Sequence, residues 1–315
     1  MTQQADIPVE AVLRDELAHG DVVLGTIGPI MGHLLANHDH SLFSDEIIAR
    51  VRSMIGHVAH QMLVLHGQAA EHSDPIGFAA EHRGPLSENL CSHQPFLLHC
   101  HALALEWQLA ERLERRNSID LVLSPLLQAL IASEDSATAS AAMATLAAQA
   151  RFTQQARRME LPINELPGDL FHHALMTLRN YAGEESAEAA KATEVQLRKN
   201  YDESSSRLGL MTRLVTGMGQ GIRASLTISH AGVGLFLTGL AIASHQERSL
   251  AVISTNDRQL ARLALGLRSA GLKPKEVAEV FLYIHPEVSL PDGFDAMRVD
   301  HAAAMLEASD GWRNE

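Results

Sequence analysis

Apolar side chains recur at the spacing of an α-helix along much of the chain, and this periodicity is the strongest constraint on the fold. The first clear case follows Ser44, a residue type that caps helices, and two acids that suit the positive end of a helix dipole. The periodicity predicts a helix from Asp45 to about His66. Its apolar face comprises Ile47, Val51, Met54, Ile55, Val58, Met62 and Leu65.

Similar patterns follow to the C-terminus, whereas strand patterns are almost missing from the sequence. Only 4% of the residues are aromatic, and Ala and Leu dominate the apolar ones. Ala and Leu lose little freedom in a helix, while strands favour aromatic and β-branched residues. The sequence therefore predicts an all-α fold.

The helical segments suggest two domains. Residues 1–117 are expected to form a His-rich helical bundle in which 72–95, rich in Pro, Gly and polar residues, is a loop-rich segment. Residues 118–315 are expected to form irregular antiparallel helix pairs in a HEAT-like array. The polar, Ser-rich stretch 201–207 predicts a hinge.

Two stretches carry a resemblance, "AAQARFTQQARRMELPINELPGDLFHHAL" and "STNDRQLARLALGLRSAGLKPKEVAEVFLYIHPEVSLPDGFDAMR". They resemble a family of bacterial all-helical proteins, loosely HEAT-like, that is known only as a domain of unknown function. The resemblance covers about residues 118–315 and rests on general texture rather than on a diagnostic motif. It implies packing of helix pairs, and it brings no catalytic residues.

Charge and cysteine content bear on partners and compartment. The net charge of −13 and the lack of basic clusters argue against nucleic acid and membrane partners. Two cysteines cannot form a disulfide framework, and the first 20 residues carry acids where a signal peptide would be basic and apolar. The sequence therefore predicts a cytoplasmic protein.

Histidine is the one anomaly of composition, with 18 residues of which most lie in the first third. His99, Cys100 and His101 are adjacent in the stretch "LLHCH" and suggest a metal site. On a helix, however, the two histidines point to nearly opposite flanks and Cys100 falls on an apolar stripe. The stretch therefore predicts a helix buried on two sides with titratable edges, and Cys91 has no familiar zinc spacing to it.

Two other places remain as metal candidates. His57 and His60 share a helix face, although Arg50 is a poor neighbour for a cation. His38 and Asp39 resemble the His-Asp pair of HD-type phosphohydrolases, with which His33, His57 or His60 would complete a ligand set. A loop or helix-cap role is the competing interpretation, since the pair lies where a helix ends.

Other catalytic patterns do not emerge. Gly217, Gly219 and Gly221 do not fit a phosphate-binding loop, and neither G-x-S-x-G nor H-E-x-x-H occurs. We therefore predict no catalytic residue, no cofactor and no metal, although enzymatic activity stays open.

The expected function is that of a non-enzymatic helical scaffold or regulator that binds another protein; its oligomeric state stays open. The alternative is a metal-dependent phosphohydrolase of the HD type, or a metal-linked sensor, that uses His38, Asp39, His57 and His60. A third option is a small-molecule pocket between helices, near the apolar stretch 231–244.

Overall fold

The computed structural model describes residues 9–36 and 44–309 of the 315-residue chain. These residues form fourteen α-helices joined by short turns and five short 3₁₀ helices, and the described part contains no strand. This confirms the all-α prediction, while the HEAT-like arrangement stays a prediction. The helices, α1 to α14, are Val9–Ala36, Asp45–Ala69, Pro75–Cys91, Gln94–Asn117, Pro125–Ile131, Ser136–Arg157, Gly168–Ala182, Ala187–Asn200, Arg207–Gly217, Ile228–Ala243, Arg248–Ile253, Leu260–Ser269, Pro274–Ile284 and Val299–Ser309.

Helix α2 begins where the sequence predicts it. The Ser44 hydroxyl accepts a hydrogen bond from the Ile47 amide at 3.3 Å, which satisfies one of the free N–H groups of the first turn. Six of the seven predicted apolar residues are buried, whereas Leu65 is not among the buried residues of α2. The helix continues to Ala69, three residues beyond the predicted end.

The prediction of a loop-rich segment over 72–95 is wrong, because α3 occupies most of it. The Asp74 carboxylate accepts from the Gly77 amide at 2.9 Å, and Pro75 stands in the first turn, where its missing N–H removes no helical bond. Pro85 lies inside the helix. Burial of Ala79, Leu86 and Leu90 against the rest of the protein outweighs the helix-breaking residues.

Helix α4 contains the "LLHCH" stretch and has the two predicted apolar stripes. Residues of both stripes are buried, among them Cys100, Trp107 and Leu109. The expectation of titratable edges fails for His101, which is only 4% exposed. The flank position Glu106 is likewise only 1% exposed, so α4 is buried on more than two sides over this stretch.

Two compact units divide the chain. One unit comprises residues 9–27, 105–146 and 211–309, and within it α10 packs on α5, α11 and α12, and α12 packs on α14. The other comprises residues 28–36, 44–104 and 147–210, where α2 packs on α3 and α8. Each unit gathers segments from both sides of Asn117, whereas the predicted domains are continuous in sequence. Packing between helices far apart in the chain accounts for this difference.

Glycines allow close packing in the unit that contains α10. A Cβ atom at Gly239 would lie 1.9 Å from Oγ of Ser225, in the 3₁₀ helix Gly219–Leu226. The absence of a side chain at Gly239 therefore lets this 3₁₀ helix approach α10 closely. Gly232 has a different role, because its φ of +72° breaks the helical geometry of α10.

Among the described residues, no single helix is long and apolar enough to cross a membrane. The helices Gly219–Leu226 and Ile228–Ala243 reach that length and apolarity only together, and a 115° bend separates them.

Candidate functional site

The metal-candidate residue His57 binds a backbone segment of its own unit. The Leu161 amide donates to His57 Nδ1 at 3.1 Å. Gln61, one turn later, donates to the Leu161 carbonyl at 3.0 Å and accepts from the Ile163 amide at 3.1 Å. His57 and Gln61 therefore hold the chain after α6 against α2, a structural role that sequence spacing does not reveal.

His60 lies on the same helix face, in a place that disfavours positive charge. Burial lowers its pKa, and Arg83 and His57 lower it further. The predicted neighbour Arg50 turns away to Glu46, whose carboxylate it meets at 2.9 Å, and to the Ala156 carbonyl at 2.7 Å. The cation near His60 is thus Arg83 rather than Arg50.

The predicted partners His38 and Asp39 lie outside the described residues, and so does the side chain of His33. Over 9–36 and 44–309, no group of three or more His, Cys, Asp or Glu side chains is placed to hold a metal ion. The alternative that depends on these histidines stays a prediction.

The stretch around Cys100 is part of the core. Cys100 is fully buried, and burial raises its pKa far above the usual range of a thiol. Burial lowers the pKa of His101 to about 4, so its imidazole is neutral at pH 7. Burial also raises the pKa of Cys91, to about 11. None of the three is poised as a nucleophile or as a general base near neutral pH.

Several histidines serve as aromatic packing groups. His93 stacks on His173 with ring centroids 3.7 Å apart and planes 15° apart. Phe78 stands between His72 and His82, each with its ring centroid 4.3 Å away. The contact of Phe78 with His82 follows from their i,i+4 spacing, but that of His93 with His173 joins residues 80 positions apart and could not be predicted.

An open apolar groove of about 810 Å³ runs along α6 and α9. Its floor on α6 is built of small residues at helical spacing, so that the helix surface is flat enough for another helix to approach. Leu214, itself buried, supplies the apolar floor on α9. The lining residues are Leu130, Ala137, Thr138, Ser140, Ala141, Ala144, Arg213, Leu214, Gly217, Met218, Gly221 and Ala224.

One of the residues that line the groove is charged, and a large exposed apolar residue precedes another lining residue in the chain. Arg213 is exposed and forms no ion pair within the part of the chain that the structure describes. Met143, which precedes the lining residue Ala144, is 52% exposed although it is large and apolar. This surface is not evident from the sequence, because the small residues of α6 indicate only a strong tendency to form a helix.

The third option, a pocket near 231–244, concerns helix α10. Its side chains from Ala231 to Ala241 are buried in the packing of their unit. The open groove is lined by α6 and α9 instead. Comparison with protein families, curated proteins and solved structures finds no match for this chain.

Proposed function

We propose that the chain is a helical protein-interaction scaffold whose groove between α6 and α9 receives an amphipathic helix of a partner protein. The observation that carries this proposal is the open groove with a small-residue floor and one cation, Arg213. Helix-in-groove recognition is a common mode of protein–protein binding.

The dimensions of the groove suit a single helix. Ala137, Ala141 and Ala144 follow one face of α6 over seven residues, about 10 Å or two helical turns. Small side chains let two helix axes approach to about 8 Å, so apolar residues of the partner can fill the volume between them.

Charge selects among such helices. Arg213 favours a carboxylate on the partner helix, because a guanidinium group can donate two parallel hydrogen bonds to the two carboxylate oxygens. We therefore propose a partner helix with apolar residues at i, i+3 or i+4 and an Asp or Glu beside them. The net charge of −13 argues against a nucleic acid in this place.

Site-specific photo-crosslinking tests the proposal in a lysate of the native host. A benzophenone amino acid at Ser140, an exposed residue that lines the groove, should give a defined adduct, whereas the same group at Ala192, an exposed alanine of α8, should not. The variants Arg213→Glu and Ala144→Trp should weaken binding of that partner by about tenfold or more, since one reverses the charge and the other fills the groove.

The matched control is Ala192→Trp, which places the same bulk outside the groove. Equal adducts at both crosslinking positions would refute the proposal. So would unchanged partner affinity in the two groove variants when their circular dichroism matches that of the wild type. An adduct between two copies of this chain would show self-association instead.

The metal-dependent alternative makes a different prediction. A phosphohydrolase or sensor of that kind would purify, without a His-tag, with a stoichiometric metal that His38→Ala or His57→Ala removes. Metal-free protein whose melting temperature does not change in chelator would exclude this alternative.

A further inference from the structure

A small polar cavity of about 260 Å³ lies in the unit that contains α4 and α13, apart from the groove. Drug-sized ligands occupy cavities of about 300–1,000 Å³, so this one suits a smaller molecule. One wall comes from α4, a second from the turn after α11, and the third from the residue that follows α13. The lining residues are Leu105, Gln108, Leu109, Arg112, Thr255, Asn256, Asp257 and His285.

His285 lines the inner part of the cavity and is only 9% exposed. Its Nε2 atom is buried and has no hydrogen-bond partner among the described residues.

The neutral ring can carry its proton on Nδ1, which leaves the buried Nε2 as a hydrogen-bond acceptor. Burial lowers the pKa of His285, and Arg112 lowers it further, so the ring is neutral at pH 7. A buried acceptor without a donor costs free energy that a ligand N–H or O–H can recover. The Nε2 atom of His285 therefore favours a ligand that donates a hydrogen bond to it.

Two opposite charges stand at the mouth of the cavity. Arg112 of α4 and Asp257 are both exposed, and within the described ranges neither forms an ion pair at 4 Å or less. Arg112 provides N–H donors for a carboxylate, and Asp257 provides oxygens for an ammonium group. Leu105 and Leu109 add an apolar wall.

We propose that this cavity binds a free α-amino acid, with its carboxylate on Arg112 and its ammonium group between Asp257 and His285. The amino acid supplies a counter-charge for Arg112, a counter-charge for Asp257 and a hydrogen-bond donor for the buried imidazole. Inorganic phosphate would meet Arg112 but would be repelled by Asp257. A metal ion would find only one imidazole and one carboxylate here.

Isothermal titration calorimetry of the 315-residue chain with each of the proteinogenic amino acids in free form tests the proposal. At least one of them should bind, and its amide, N-acetyl and 2-hydroxy analogues should each bind about tenfold more weakly or worse, since each lacks one charged group. Arg112→Gln and Asp257→Asn should lower the affinity by a similar factor. Arg115→Gln, an arginine of α4 that does not line the cavity and whose side chain is 76% exposed, is the matched control and should have no effect.

His285→Gln tests the inner contact, while Arg112→Gln and Asp257→Asn change exposed residues. Lack of binding by all the amino acids would overturn the proposal. Equal binding of the 2-hydroxy analogue would overturn the ammonium contact. Displacement of the amino acid by phosphate at equal concentration would show a general anion site instead.

Discussion

The buried ion pair between Glu106 and Arg248 has bidentate geometry, and it allows a quantitative test of the packing in its unit. Two guanidinium nitrogens of Arg248 donate to the two Glu106 oxygens, each at 2.9 Å. The Glu106 side chain is 1% exposed and that of Arg248 is 16% exposed. Arg248 Nε also donates to the Thr238 hydroxyl at 3.0 Å.

Replacement of Glu106 by Ala leaves the Arg248 cation buried without its counter-charge. Loss of one partner of a buried pair costs about 3–5 kcal/mol. Because Arg248 keeps the Thr238 contact and some exposure, we expect a loss near the lower limit, about 3 kcal/mol in the free energy of unfolding. Glu106→Gln keeps an acceptor of the same shape and should cost less.

Urea denaturation followed by the fluorescence of Trp107 measures this loss. Trp107 is buried beside Glu106 in the sequence, and Trp312→Phe would make it the single tryptophan. The double variant Glu106→Met with Arg248→Met should recover most of the stability, because it removes both charges and keeps the volume. A loss below about 1 kcal/mol for Glu106→Ala would refute the reasoning.

Two further predictions concern a buried histidine and a packed glycine. The His101 pKa is near 4 in the folded protein and about 6.5 when unfolded, so the unfolded state binds the proton more tightly. The contribution of the neutral, buried His101 to the free energy of unfolding is complete above pH 6.5 and falls by about 3 kcal/mol as the pH drops to 4. In urea denaturation at a series of pH values, His101→Leu should flatten this part of the dependence of the unfolding free energy on pH. Gly239→Ala should lower stability by about 1–3 kcal/mol through the clash with Ser225, whereas Gly25→Ala, with no atom within 4 Å of its Cβ, should raise it slightly. Equal effects of the two glycine replacements in thermal denaturation would contradict the packing argument.

The candidate sites were only partly accessible to sequence analysis. Adjacency and i,i+3 spacing drew attention to His57, His60 and the "LLHCH" stretch, yet the structure uses His57 to hold Leu161 and buries Cys100. Arg112, Asp257 and His285 are far apart in the chain, and no spacing rule joins them. The same holds for Glu106 and Arg248, which are 142 positions apart.

The sequence by itself determined that the chain is helical, where α2 begins and which face of α13 is buried, since these depend on neighbours within a few residues. The apolar residues at helical spacing in α13, Val277, Val280, Phe281 and Ile284, are all buried. Only the tertiary structure decided that residues 75–91 are helical, that His101 and Glu106 are buried, and which side chains surround the cavity at His285. The physical reason is that burial and charge pairing arise between helices distant in the chain, and these energies exceed local propensities of a few tenths of a kcal/mol.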